Sequence, residues 1–139
     1  MENLTFTRDA PPELAAHPHW QLVQRIVDSP VLLRSHRLRL FLLYVTRCAL
    51  LEHGDHVTEQ QIGVNVFGRP AGYNASEDNI VRAHARILRA KLAEYFASEA
   101  GRAEPIVLTI PKGAYLPQFH LREELPPPPE PKRRFRAGA

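Results

Sequence analysis

A long amphipathic stretch, residues 80–96, is followed about ten residues later by a short β-branched segment at 106–110. A long helix followed by a strand limits the folds that this chain can adopt more than any other feature of the sequence does. At about 100° per residue from Ile80, one arc between about 60° and 160° collects apolar and aromatic side chains. They are Val81, Ala85, Leu88, Leu92, Tyr95 and Phe96. The pattern predicts a helix of about 78–99, capped by Ser76 or Asp78 and terminated by Gly101, that buries one face.

The rest of the chain shows shorter patterns on either side of this helix. Apolar spacing predicts helices at 20–30, 35–54 and 58–68, with Gly54 ending the second and a capping box of Thr58 and Gln61 starting the third. Turn formers predict a loop at 69–76, and strands are expected at 106–110 and 115–119, joined by a turn at 111–114. The expected fold class is therefore mainly α with a C-terminal β-hairpin. Three helices, a long fourth and a hairpin with a basic tip at Lys112 form the layout of a winged helix-turn-helix.

Length limits the chain to one domain, since 139 residues can bury a single core. We expect an N-terminal arm at 1–19 that is partly ordered, with Leu4 and Phe6 in an edge strand or a loose arm. The domain occupies 20–120. A Pro-rich basic tail at 121–139 cannot offset its ordering entropy and is expected to be disordered. Its Lys and Arg residues suit a phosphate-binding arm, a docking segment or a solubilising end.

Arginine side chains line one narrow stripe beside the apolar arc of the predicted helix. Arg89, Arg82 and Arg86 fall at about 180°, 200° and 240° on the same wheel. Asn79, Ala83 and Ala90 lie next to them, and residues 79–93 contain no acid. Arginine pairs with guanine or phosphate, Asn with adenine, and an alanine methyl group with thymine, so this composition suits a helix in the DNA major groove. A solvated arginine stripe is the alternative interpretation.

The residues H-A-R-I-L-R-A-K-L at 84–92 and I-P-K-G-A-Y at 110–115 resemble the OmpR/PhoB-type winged helix-turn-helix DNA-binding domain. Segments at 37–42, 62–68 and 78–82 are similar to a bacterial subgroup of regulators, and the resemblance covers roughly 20–119. It implies base or phosphate contacts for Arg82, Ala83, Arg86 and Arg89, and a backbone or minor-groove contact near Lys112. The chain departs from the family pattern at Asn79, Ile87 and Pro111.

Metal and catalytic chemistry find little support in the sequence. The close histidine pairs, His17 with His19 and His53 with His56, lack the paired cysteine-rich groups of a structural zinc site. His84 is expected in a packed or rim position rather than as a ligand. Cys48 lies in an apolar helix without a base, and no nucleophile elbow or phosphate-binding glycine loop occurs. We therefore expect no catalytic residues, no metal, no cofactor and no enzyme.

A sequence-specific regulator of transcription that binds double-stranded DNA is the function that these patterns favour. The helix at about 78–99 would enter the major groove, and the wing at about 106–119 would contact the backbone or the minor groove. The alternative is a winged-helix subunit that docks onto other proteins without reading bases. A homodimer and a sensor or transcription-machinery protein stay open as further partners. The single cysteine and the absence of a signal or membrane segment predict a cytoplasmic chain without membrane contact.

Overall fold

Residues 12–125 are described by the computed structural model, and they are mainly helical with a C-terminal two-stranded antiparallel hairpin. The elements in chain order are α1 (Pro12–Ala15), α2 (Pro18–Val27), α3 (His36–Leu50), α4 (Glu59–Asn65), α5 (Ile80–Ala97), α6 (Glu99–Arg102), β1 (Ile106–Thr109) and β2 (Gln118–Leu121). Short 3₁₀ turns lie at Gly54–His56 and Arg122–Glu124. The expected fold class is confirmed at this level. Each helix among the described residues is too short or too polar to cross a bilayer.

Three helices supply most of the core. Helix α2 packs on α3, and α5 lies against α3, α4 and β1. Their fully buried side chains include Leu22, Val23, Ile26 and Val27 of α2, Phe41, Leu42 and Val45 of α3, and Val81 and Leu88 of α5. Because the predicted apolar arc of α5 is the buried one, its arginine-bearing side is turned outward.

Residues 12–19 belong to the segment expected to be a partly ordered arm, and they form α1 and the start of α2. Helix α1 buries Leu14, and α2 begins at Pro18, two residues before the expected start. Proline suits a helix start because its missing N–H would have no intrahelical partner. The His19 ring stacks on Phe119 of β2 at 4.0 Å between centroids, which joins this segment to the hairpin. Leu4, Phe6 and the tail beyond 125 lie outside the described residues.

Helix α3 ends four residues before the glycine that was expected to stop it. Glu52 adopts a left-handed φ of 62°, and the His53 N–H donates to the Cys48 carbonyl at 2.7 Å. Together with a bond from Glu52 N–H to the Ala49 carbonyl at 3.3 Å, this is a Schellman cap with glutamate in the position that glycine usually takes. The prediction of Gly54 as the terminator was therefore wrong.

The predicted terminator of α5 is also placed differently. Ser98 ends α5 with an extended ψ of 169°, and its hydroxyl accepts from the Gly101 N–H at 3.2 Å to cap α6. Gly101 is buried inside α6, where a Cβ atom would collide with the Tyr95 carbonyl. It allows α6 to fold closely against the end of α5.

The second strand begins three residues later than predicted. Strand β1 pairs with β2 from Ile106 opposite Leu121 to Thr109 opposite Gln118. Residues 110–117 form a loop, with Gly113 at a φ of 82° and a turn from the Pro111 carbonyl to the Ala114 N–H. Tyr115 therefore lies in the loop rather than in the strand.

A buried carboxylate joins α2, α5 and the hairpin. Arg25 donates two hydrogen bonds to Glu104, at 2.9 and 2.8 Å, and the Tyr95 hydroxyl donates a third at 2.7 Å. Arg122 donates from Nε to the Glu104 carbonyl at 2.9 Å. The Arg25 hydrogen bond, ahead of any other cause, lowers the pKa of Glu104, while burial and the hydrogen bond to Glu104 raise the pKa of Tyr95 to about 12. The charged form of Glu104 is therefore the one that stabilises the fold.

We predict that Glu104→Gln lowers the free energy of unfolding by about 1–3 kcal/mol near neutral pH, because the bonds to a charged acceptor are lost. Since folding lowers this pKa, the stabilisation is present above the ordinary value of 4.5 and is lost as the pH falls through and below it. Urea denaturation across the acid range measures both effects. The exposed Glu123→Gln is the control, and an identical acid dependence in Glu104→Gln and the wild type would contradict the assignment.

Candidate nucleic-acid interface

Side-chain hydrogen bonds at the helix N-termini and within the loop at 69–78 fix where α4 and α5 begin. The Thr58 hydroxyl accepts from the Gln61 N–H at 3.1 Å, which confirms the first bond of the predicted capping box, whereas the Gln61 side-chain oxygen accepts from Asn65 at 3.2 Å. In the loop that follows, Arg69 bonds Asp78 at 2.7 Å, and the second oxygen of Asp78 accepts from the Ile80 N–H at 3.2 Å. The Arg69 hydrogen bond is the main reason that the pKa of Asp78 is lowered. Asp78 thus closes the loop and starts α5.

The middle of the same loop packs directly on α4. The Tyr73 ring lies over Gly63, where any Cβ atom would collide with it, and the Tyr73 hydroxyl donates to the Glu59 carbonyl at 3.3 Å. Gly63 is thus required for a close approach of ring to helix. This contact fixes where the loop runs relative to the outer face of α5.

The predicted contact residues lie on α5 and the hairpin loop, but their surroundings differ. Asn79 is exposed at the N-cap position, with no side-chain capping bond, and its carbonyl accepts from the half-buried Ala83 at 2.9 Å. Arg86 and Lys112 are exposed, and neither forms a hydrogen bond or ion pair with a described residue. These two cations are free to meet a ligand.

Arg89 is engaged with the hairpin. Its Nε donates to the Ile110 carbonyl at 2.9 Å, and its Nη2 donates to the carbonyls of Ala114 at 2.9 Å and Pro111 at 3.2 Å. Ile110 is predicted to end the first strand, and Pro111 and Ala114 are predicted to form the turn, so the bonds from Arg89 fix the loop at that end of the hairpin. The sequence assigned Arg89 to DNA contact alone and did not reveal this structural role.

Arg82 is engaged nearer the start of α5, with α4 and the loop before α5. Its Nη1 atom lies 2.6 Å from a carboxylate oxygen of Glu59 and 3.0 Å from the Ala75 carbonyl. The Arg82 side chain is nevertheless 42% exposed. The sequence of α5 contains no acid near the stripe, and the partner carboxylate comes from the first turn of α4. The absence of acids along one helix therefore did not exclude an ion pair across two.

A groove between α5 and the hairpin loop brings these side chains together. It is lined by Arg82, Ala85, Arg86, Arg89, Lys112, Gly113 and Tyr115. The described residues that line it include four cations and no carboxylate. Burial raises the pKa of Tyr115, so its ring forms a neutral wall of the groove.

An aromatic contact joins α5 to the segment that follows α4. The Phe67 ring lies 4.6 Å from the His84 ring, and the Arg37 guanidinium sits 5.7 Å from the Phe67 centroid. His84 Nδ1 lies 2.9 Å from the Ile80 carbonyl. The expectation of a packed or rim position for His84 is confirmed. Within residues 12–125, no group of three or more histidine, cysteine or acidic residues is arranged to hold a metal.

Comparisons of this chain with protein-family models, with curated protein sequences and with solved structures gave no match. The assignment of a function therefore depends on the geometry of the groove.

We predict that Arg89→Met loosens the hairpin loop, since three bonds to backbone carbonyls are lost. The free energy of unfolding should fall by about 1–3 kcal/mol, and amide hydrogen exchange at 110–117 should speed up. Arg86→Met, an identical change one turn earlier on α5, should alter stability by less than about 0.5 kcal/mol. Equal effects of the two substitutions would show that Arg89 does not hold the loop.

Proposed function

We propose that this protein binds double-stranded DNA sequence-specifically and regulates transcription, as a winged helix-turn-helix domain. Helix α5 acts as the recognition helix in the major groove, and the hairpin 106–121 acts as the wing. The resemblance to the OmpR/PhoB type supports the same assignment. The observation that carries the proposal is the groove between α5 and the hairpin loop, because four cations line it and two of them, Arg86 and Lys112, have no bonded partner among the described residues.

The dimensions of α5 suit the major groove. Its 18 residues extend about 27 Å at a rise of about 1.5 Å per residue, and a major groove about 12 Å wide admits one helix. The exposed side presents Arg86 between the small Ala83 and Ala90 side chains. Small neighbours let the helix backbone come close to base edges, and the free guanidinium can donate two bonds to a guanine.

Lys112 has a different role from Arg86. It lies at the tip of the hairpin loop beside Gly113, exposed and without a partner among the described residues. A flexible ammonium group is suited to a phosphate oxygen as a point charge. We assign Lys112 to the sugar–phosphate backbone, where it adds affinity without sequence information.

One observation favours the alternative of a protein-docking subunit. Ile87 is 46% exposed on α5, beside the arginine-bearing face, and an apolar side chain there suits a protein partner. Salt dependence separates the two functions. A DNA-binding protein loses affinity for random duplex steeply between about 50 and 200 mM salt, whereas a docking subunit binds the duplex weakly at both concentrations.

We predict that Arg86→Ala weakens the free energy of binding by about 1–3 kcal/mol on a duplex that the wild type selects from a random pool. The substitution should also relax the base preference at one position of that duplex. Lys112→Ala should weaken binding to selected and random duplexes alike, and reduce the log–log salt slope by about one unit. Fluorescence anisotropy titrations at several salt concentrations measure both quantities. Arg102→Ala is the charge control, because Arg102 is an exposed arginine on α6 that does not line the groove and whose Nη1 donates to the Ala97 carbonyl at 2.6 Å.

Equal losses on selected and random duplexes for Arg86→Ala would contradict base reading by α5. A loss for Arg102→Ala as large as that for Arg86→Ala would contradict the location of the interface.

A further inference from the structure

Glu59 contacts the arginine-bearing face of α5 although it belongs to α4. Its carboxylate bonds Arg82 at 2.6 Å, and its side chain is 23% exposed. A carboxylate this close to a surface for a polyanion repels every duplex regardless of sequence. If this surface binds DNA, the repulsion between Glu59 and the phosphates must be offset by another contribution of Glu59 to binding.

The hydrogen-bond geometry of Arg82 indicates such a role. Nη1 carries two hydrogens, and its two acceptors are the Glu59 carboxylate and the Ala75 carbonyl. Nε and Nη2 together carry three further N–H groups, which have no acceptor among the described residues. The inner end of the guanidinium is thus fixed, and the Nε–Nη2 edge is left to donate.

We propose that Glu59 is a positioning residue that holds Arg82 for bidentate contact with a guanine base, and so determines sequence specificity. This inference rests on the proposed DNA-binding function. The Nε–Nη2 edge of a planar guanidinium matches the O6 and N7 acceptors of guanine. Because Arg82 is already ordered by α4 and the loop before α5, less conformational freedom is lost on binding.

Glu59 also weakens binding to the wrong sequence. Its negative charge acts on all duplexes, whereas the aligned Arg82 edge assists only those with a guanine in reach. Specificity is the difference in binding free energy between the preferred duplex and other duplexes. Glu59 weakens binding to both kinds of duplex but aligns Arg82 for the preferred one, so it increases that difference. Arg86, which has no partner among residues 12–125, gains no such alignment from them.

The test compares four proteins on the duplex selected by the wild type and on a random duplex of equal length. Glu59→Ala removes the charge and the acceptor, whereas Glu59→Gln removes the charge and keeps an acceptor for Nη1. Glu77→Ala removes an exposed carboxylate from the loop before α5 that has no ion pair with a described residue. Anisotropy titrations give the ratio of random to selected dissociation constants for each.

Glu59→Ala should bind the random duplex a few-fold more tightly and the selected duplex more weakly, so that the ratio falls about tenfold. Glu59→Gln and Glu77→Ala should tighten both duplexes by a similar factor and keep the ratio within about twofold. A ratio for Glu59→Ala equal to that of Glu77→Ala would overturn the positioning role. A wild type that selects no sequence would instead overturn the proposed function itself, and this inference with it.

Arg82→Lys keeps the test decisive if Glu59→Ala does not fold. Lysine retains the positive charge but lacks the planar Nε–Nη2 edge of a guanidinium. The ratio of random to selected dissociation constants should therefore fall, as it does for Glu59→Ala. A ratio unchanged by Arg82→Lys would contradict the proposal independently.

Discussion

The bonds from Arg89 to the hairpin loop determine the geometry of the candidate interface. A two-stranded hairpin is only marginally stable alone, and here its loop is held by a guanidinium from the neighbouring helix. The opposite end of the hairpin is held by the cluster around Glu104, through Arg25, Tyr95 and Arg122. Fixed at both ends, the hairpin stands beside α5 and forms one wall of the cationic groove.

The three arginines of the stripe have three different tasks. Arg89 is part of the structure, Arg82 is held at one end by Glu59, and Arg86 has no partner among the described residues. A surface that must be rigid enough to discriminate sequences and charged enough to attract DNA requires both kinds of side chain. In the proposed function, Arg86 reads a base with a side chain that no described residue holds, Lys112 contacts the phosphate backbone, and Arg82 supplies a preset direction.

Local sequence rules succeeded where the partners are close along the chain. Thr58 caps the helix that its own segment forms, and the helical wheel correctly turned Arg86 outward. The same rules failed where a distant group decides the outcome. Arg89 bonds carbonyls more than twenty residues away, Arg82 meets a carboxylate from another helix, and Glu52 takes a left-handed conformation that glycine normally marks. Such contacts leave no periodic pattern in the sequence.

The most direct test of the proposed interface is a backbone amide NMR titration with the duplex that the wild type selects from a random pool. We expect the largest chemical-shift changes at residues 79–90 of α5 and its N-cap and at 111–114 of the hairpin loop. Helix α2 should change little, because it packs on α3 and contributes no residue to the lining of the groove. Changes centred on α2, or no changes at saturating duplex, would contradict the assignment of this groove to DNA.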